Sequence, residues 1–356
     1  MAGTSKLVMD GDRVTIAPAF ATDCLTRILV AADCVADTAS AVATHLVDAS
    51  LCGVESHGIV RVRQYAEQFR TGYMHAASRP HVTVTGRGIT EVDGRGGIGI
   101  PAMLLAIETV TDLARRDGVA VVPVRNVGHT GRLGAFAEAG ASRGCLILIV
   151  GGGGRQSWRQ VAPYGGRRAV LPTNPYCLAI PGGARGPVVI DFATSVVAGG
   201  WLIAARSAGA TLPEGAIVDA EGRPSRDPEA YFNGGAILPK GGPMGYGLAV
   251  MAELICEAML GPVATEVNWL TLAIDTTRHR EPHMMQTVAE EILAELRTCP
   301  PAEGFDRVEV PGERERARRA EGLITGLRVP RRTWDEIQAL AAAAADGNDR
   351  RIIPNE

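Results

Sequence analysis

Residues 92–116 read VDGRGGIGIPAMLLAIETVTDLARR, and within them Gly94-Arg95-Gly96-Gly97-Ile98-Gly99 is a literal G-x-G-x-x-G. It lies between a run with strand character, GITEVD (88–93), and a helical run, 101–116. If these glycines let a dinucleotide pyrophosphate sit on the helix N-terminus, the chain is a Rossmann protein. Two features weigh against that. The acid such a unit carries at the end of its second strand is missing, because VAVVPV (119–124) runs into Arg125-Asn126. Pro101 also opens the helix two residues late. A lone fingerprint is weak evidence, and the motif reads as a tight turn between elements.

Outward from that turn, residues from about 80 to 265 alternate short β-rich runs with glycine clusters. The runs are HVTVTG (81–86), VAVVPV, CLILIV (145–150) and PVVIDFA (187–193), with helical segments at 101–116 and 131–143. This is α/β in character. Residues 244–260 are apolar nearly all round, which predicts a buried helix. The first 75 residues look helical. Asp37 is placed to cap a segment that Gly53 stops, and a second helix is expected from Ser56, with His57, Arg61 and Tyr65 stacked four apart. After about 280 the chain is helical again at 283–297 and 333–346, around an expected extended piece, RVEVPGERERARR (307–319). The reading is a central domain, 81–265, beside a helical domain built from 1–80 and 266–356. The polar last ten residues are expected to fray.

Composition narrows the function classes. The 356 residues are 46% hydrophobic and 21% charged with a formal net charge of -3, which excludes disorder and any global attraction to nucleic acid or an anionic membrane. The longest apolar runs fall far short of the ~20 residues that span a bilayer. MAGTSKLVMDGD lacks an apolar signal region. Seven scattered cysteines without CxxC spacing read as reduced, mostly buried thiols in a cytoplasmic protein. Only Lys6 and Lys240 are lysines, so a lysine inside a motif stands out.

Two of the seven histidines sit in unusual settings. His57 lies in ESHGIVRVRQY, and His129 lies in RNVGHTGRLG, where an apolar strand ends in a glycine-rich loop. Each has an arginine close by, Arg61 and Arg132, suited to holding a carboxylate bidentately. A single histidine is more often structural, yet this pairing puts a functional role on equal terms. Four glycines, 151–154, follow the CLILIV strand and leave a backbone that can lie flat against a ring or phosphate. Nothing has the spacing of a metal site.

Taken in order, ESHGIVRVRQY, VDGRGGIGI, NVGHTGRLGAFAE, VAPYGG, TNPYCLAIP, IDFATS, VDAEGRPSRDP, LPKGGPMGYGLA and VEVPGERE resemble the type-2 malate/L-lactate dehydrogenases. That family includes ureidoglycolate and sulfolactate dehydrogenases, diketogulonate reductases and Δ1-piperideine-2-carboxylate reductases. The resemblance covers about residues 20–345. It implies an α/β (α+β) fold with a non-Rossmann NAD(P)-binding domain, a mainly antiparallel central sheet and a helical domain from both chain ends. It further implies a homodimer using NAD or NADP.

Matched by motif, Ser56, His57 and Arg61 would line the substrate site with Thr173, and His129 would stand beside the nicotinamide. Thr130, Gly131, Arg132, Leu133, Asp191, Phe192 and Ala193 would touch the cofactor, and Arg316, Arg318 and Arg319 its phosphates or ribose. The implied reaction interconverts a 2-hydroxy acid and a 2-oxo acid, with His129 as acid/base and Ser56–His57 as a relay, or with the histidines exchanged. A cyclic imino acid is the alternative substrate, and a non-catalytic dinucleotide-binding protein is the rival from another class. Two departures stand out. The family's Lys-Gly-Tyr-Gly is Met244-Gly-Tyr-Gly here, with Lys240 four residues earlier, and its Gly-Thr-Asn-Pro is Pro172-Thr-Asn-Pro.

Overall fold

The computed structural model describes residues 12–207 and 209–345, so the expectations for the extreme N-terminus and the last ten residues fall outside it. Strand β1 (Arg13–Ile16) enters helix α1 (Pro18–Ala31) through a proline at its first position, where the missing N–H costs nothing. In helix α2 (Ala36–Leu51) Asp37 occupies the first turn, while Val35 is the N-cap and makes no side-chain capping bond. Gly53, at φ +75°, follows the helix end.

The helix expected from Ser56 is divided. Glu55–His57 form one 3-10 turn, and α3 (Arg61–Arg70) begins four residues later. The cause is a tie to α2. Ser50 Oγ accepts from the Ile59 N–H at 3.0 Å, and a Cβ on Gly58 would meet that oxygen at 2.0 Å. Arg61 and Tyr65 therefore share a helix face, and His57 sits on the turn before it.

The central region runs β2 (His81–Val84), β3 (Thr90–Gly97), α4 (Gly99–Asp117), β4 (Val119–Val127), α5 (Leu133–Ser142), β5 (Cys145–Gly152), β6 (Pro175–Ile180) and β7 (Val188–Ala193). A small lobe follows with α6 (Gly199–Ser207), β8 (Ile217–Val218), β9 (Pro224–Ser225), α7 (Pro228–Phe232) and β10 (Ala236–Ile237), packed on Leu202, Leu212 and Ile217. Helix α8 (Pro243–Glu253) continues into a π-helical turn at Leu254–Met259, and β11 (Val267–Asp275) comes next. The chain closes with α9 (Pro282–Thr298), α10 (Glu313–Thr325), β12 (Leu327–Pro330) and α11 (Arg331–Ala345).

Seven strands form one sheet in the order β2-β3-β4-β11-β5-β6-β7. Every pairing in it is antiparallel except β3 with β4, which α4 connects. The mainly antiparallel, non-Rossmann sheet is thus as the resemblance implied. Residues 94–97, read as a turn, are instead the bulged end of β3, where Arg95 and Gly96 take positive φ, and the backbone still offers no phosphate site. The Gly99 N–H that would face a phosphate donates instead to the His129 carbonyl at 3.0 Å.

Three further expectations need correction. The boundary at 265/266 fails because β11 lies in mid-sheet, paired to both β4 and β5, and sustained helix returns only at Pro282. Residues 244–260 are not a buried helix: Met251, Leu254 and Met259 are more than half exposed, so one apolar face lies on the surface. The arginine-rich part of 307–319 is helical from Glu313, which suits a segment rich in good helix formers.

The chain ends are knitted together. β1 pairs antiparallel with β12, Ile16 opposite Leu327, and Trp334 of α11 meets Phe20 of α1 edge-on with centroids 5.9 Å apart. Trp334 and Ile337 are buried there. Removing a buried indole costs about 3–5 kcal/mol. Trp334→Ala should therefore lower the urea midpoint sharply, and an unchanged midpoint would show that the C-terminal helix contributes little to the fold.

Candidate active site

Three chain segments meet at the end of β4. Gly128 to Arg132 form the loop between β4 and α5, and its glycines are required by close approaches. A Cβ on Gly128 would meet Met74 Sδ at 2.3 Å, and one on Gly131, at φ +75°, would meet His45 Nε2 at 2.5 Å. His45 supports the loop: its Nε2 accepts from the Arg132 N–H at 3.0 Å, and its ring stacks on Phe136. Burial first, then the nearby Arg132 charge, push its pKa down to about 4, so it is a neutral structural histidine. No motif marks this role.

His129 then has a defined tautomer. The Gly131 N–H, which can only donate, points at Nδ1 from 3.2 Å, and the Tyr65 hydroxyl lies 2.6 Å from the same nitrogen. Nδ1 is the acceptor of both, so the ring proton is on Nε2. Tyr65 is fully buried, and burial raises its pKa, which suits a hydroxyl that donates and stays protonated. The His57 ring lies against His129, centroids 5.4 Å apart and 22° from parallel. Its Nδ1 is 3.0 Å from Ser56 Oγ.

Both imidazoles are held neutral. Burial pushes the His57 pKa down to about 3 and that of His129 well below 6.5, and the Arg61 cation adds to both shifts. Arg61 is itself fixed, its Nε donating to the Ser56 carbonyl and its Nη1 to Gln64 Oε1, each at 2.6 Å. The other nitrogen, Nη2, points toward the backbone of Gly200 on α6, where a Cβ would lie 3.7 Å away.

These groups open onto a cleft of about 1060 Å³ that runs between α3, the end of the sheet, α6 and the start of α10. Its size is at the top of the ~300–1,000 Å³ range of ordinary ligand sites.

With that geometry in place, comparison with known proteins is direct. Residues 16–338 match the family described as malate/L-lactate dehydrogenase. The chain belongs to that family. It is 32% identical over 329 residues to an L-lactate dehydrogenase of Cupriavidus necator, covering 88% of this chain and 93% of that one. It is 33% identical over 319 residues to a (2R)-3-sulfolactate dehydrogenase (NADP(+)) of Chromohalobacter salexigens, covering 86% and 91%. The crystal structure of a Δ1-piperideine-2-carboxylate reductase from Pseudomonas syringae superposes with a TM-score of 0.81 at 29% identity, over 92% of this chain and 99% of the other.

Most residues that the family motifs singled out line the malate/lactate dehydrogenase cleft: Ser56, His57, Arg61, His129 and Thr173, together with Thr130 to Leu133, Asp191 to Ala193 and Arg316. Asp191 Oδ2 accepts from the Gly134 N–H at 2.7 Å and so fixes the start of α5. Arg132 is buried and paired to Asp48 at 2.9 Å, which makes it a structural cation at the cleft wall.

Arg318 and Arg319 are misplaced by the sequence reading. Because the segment is helical, both turn toward α2: Arg319 pairs with Asp48, and Arg318 lies against Gly53. Arg314, not singled out, lines the cleft with Arg316. The two arginines also border a second cavity of about 440 Å³ that includes Arg185, Arg297 and Arg307. Trp158, Gln160, Glu266 and Trp269 are further cleft residues that no motif marked, and Gln64, inside the first motif, was not singled out.

The neutral histidines give a direct test. Arg61 lowers both pKa values by charge, so Arg61→Met should move both ring titrations upward while burial keeps them below 6.5. Histidine ring ¹⁵N shifts followed against pH would show this. Midpoints that stay in place would mean that the guanidinium does not act on the rings.

Proposed function

We propose that this family member is an NAD(P)-dependent dehydrogenase interconverting a 2-hydroxy acid and a 2-oxo acid at the Arg61–His57–His129 end of the cleft. The observation that carries this reading is the double use of His129 Nδ1, which leaves Nε2–H as the exchangeable proton beside a fixed guanidinium. Arg61 holds the substrate carboxylate. Once substrate is bound and a second proton sits on Nδ1, facing the Tyr65 oxygen, the His129 imidazolium gives its Nε2 proton to the oxygen on C2 in reduction, and the neutral ring takes a proton back at Nε2 in oxidation. Ser56 and His57 orient the substrate and close one side of the site.

Carboxylate binding also tunes the acid. A bound carboxylate offsets the Arg61 charge that disfavours imidazolium, so the proton affinity of His129 rises when substrate is in place. Only one of the two stacked rings carries a charge at a time, since a second charge so near would be strongly disfavoured.

The cleft fits a dinucleotide. Gly151 and Gly152 present a wall free of Cβ atoms, Trp269 lines the cleft with a buried indole Nε1–H that has no partner, and Arg314 and Arg316 stand at the far end where phosphates would lie. When bound, the nicotinamide supplies or removes the hydride at C2. Thr130, Gly131, Leu133 and Asp191 to Ala193 form the remaining cofactor wall, and either NAD or NADP is accommodated in this reading. Lys240 lines the cleft whereas Met244 is largely exposed, which supports Lys240 as the replacement for the family's lysine charge.

A cyclic imino acid is a second reading, favoured by the neutral histidines. An imine that enters already protonated brings its own proton and needs no acid. The exposed face of Met251, Leu254 and Met259 is the surface for a second copy in a homodimer.

The test is nicotinamide oxidation with NADH and NADPH crossed against pyruvate, oxaloacetate, sulfopyruvate and Δ1-piperideine-2-carboxylate. Turnover of an open 2-oxo acid, lost by about a hundredfold or more in His129→Ala with cofactor still bound, is the expected result. Turnover of the imine alone selects the second reading, and silence with every substrate ends both. Lys240→Met should raise the KM for cofactor or acid severalfold, and unchanged constants would remove that lysine from the site. Met251→Glu should yield monomers by sedimentation if the methionine face pairs two copies.

A further inference from the structure

The cleft that holds Arg61 also carries a carboxyl group that the proposed reaction does not use. Glu266 directly precedes β11, and its residue is buried although it lines the cleft. Its carboxyl is hydrogen-bonded to the Tyr73 hydroxyl, yet Oε1 is sealed from solvent and has no donor. Among the described residues it makes no ion pair with Arg61, although each charge acts on the other across the cleft. The Trp158 indole is a neighbour: a Cβ on Gly154 would lie 3.2 Å from the Glu266 carbonyl and 3.5 Å from Trp158 Cδ1. Trp158 Nε1–H is also buried without a partner.

A buried acceptor without a donor is costly unless something supplies the donor. The cost is tolerable where a ligand brings the missing group, and the rest of a small 2-oxo acid held at Arg61 lies in the same cleft. We propose that Glu266 is the specificity-determining residue of this cleft, selecting acids whose group beyond C2 bears a hydrogen-bond donor and rejecting dicarboxylic 2-oxo acids. The inference rests on the carboxylate being held at Arg61, as proposed above. Burial raises the Glu266 pKa to about 7, with Tyr73 and Arg61 opposing the shift. Ionised, the group accepts from a donor and repels a second carboxylate.

Three substrates of similar size separate these effects: hydroxypyruvate with a hydroxyl donor, 2-oxobutyrate with a methyl group, and oxaloacetate with a second carboxylate. The native enzyme should favour hydroxypyruvate by about tenfold or more in kcat/KM over both others, because a site built for a donor discriminates against analogues lacking it. Glu266→Gln should raise oxaloacetate relative to hydroxypyruvate by about tenfold. Glu266→Met should abolish the preference of hydroxypyruvate over 2-oxobutyrate. A native preference for oxaloacetate, or ratios that move less than twofold in both variants, would overturn the proposal. Thermal melts check that the variants fold. If no substrate is turned over, the proposed activity fails by itself. Glu266 is then judged by tryptophan-fluorescence binding of glycerate, 2-hydroxybutyrate and malate to native protein and Glu266→Gln. Glycerate should bind most tightly to the native protein and lose that lead over malate in the variant, and equal affinities throughout would refute it.

Discussion

The Gly99 N–H donates to the His129 carbonyl across 3.0 Å, and the Gly128 N–H donates to the Gly97 carbonyl across 2.8 Å. These two bonds clamp the start of α4 to the loop that follows β4. They require bare backbone on both sides. A Cβ on Gly99 would lie 2.5 Å from Thr130 Cγ2, and one on Gly94 would lie 2.1 Å from Val127 Cγ1. The glycine spacing that elsewhere admits a phosphate admits a neighbouring loop of the same chain here. Only with that loop held does His129 Nδ1 reach both Gly131 and Tyr65, and the proton is then confined to the opposite nitrogen.

Charge is arranged around the loop so that the imidazoles stay neutral without leaving cations unpaired. Arg132, the more deeply buried arginine, is matched by Asp48, which also pairs with Arg319. Arg61 is satisfied by a carbonyl and an amide oxygen rather than by a carboxylate. Its net charge therefore remains available to an incoming acid, while an internal ion pair would have cancelled it. A neutral partner that fixes an arginine and a charged one that neutralises it have opposite consequences for substrate binding.

Local signals were legible in the sequence wherever one segment determines its own conformation. The strands, α2 and α4 lie close to where pattern and turn chemistry put them. Errors arose where a distant partner decides. β11 looked like a linker to the helical end because nothing local says that it will slide between β4 and β5. Arg318 and Arg319 were read in an extended chain, and the helical twist of α10 carries them to α2 instead. Residues 244–260 are apolar, but a pattern cannot tell a face covered by its own chain from one left at the surface. His45 and Glu266 carry no motif, and Tyr65, though placed on the face of Arg61 by its spacing, acquires its role only from His129, 64 residues along the chain.

The pairing of β1 with β12 also has a meaning for the order of synthesis. Arg13 hydrogen-bonds the Arg328 carbonyl, 315 residues later. At about 5–20 residues per second a ribosome needs roughly 15–60 s to make the intervening chain. Throughout that interval α1 and α2 have been made but lack the strand and helix that complete their packing. Arg314 and Arg316, which border the cleft at its far end, emerge only in the final stage. A nascent chain can thus fold its sheet around His129 well before it has a finished binding cleft, and its apolar N-terminal helices must be kept from other partners until the last turn is made.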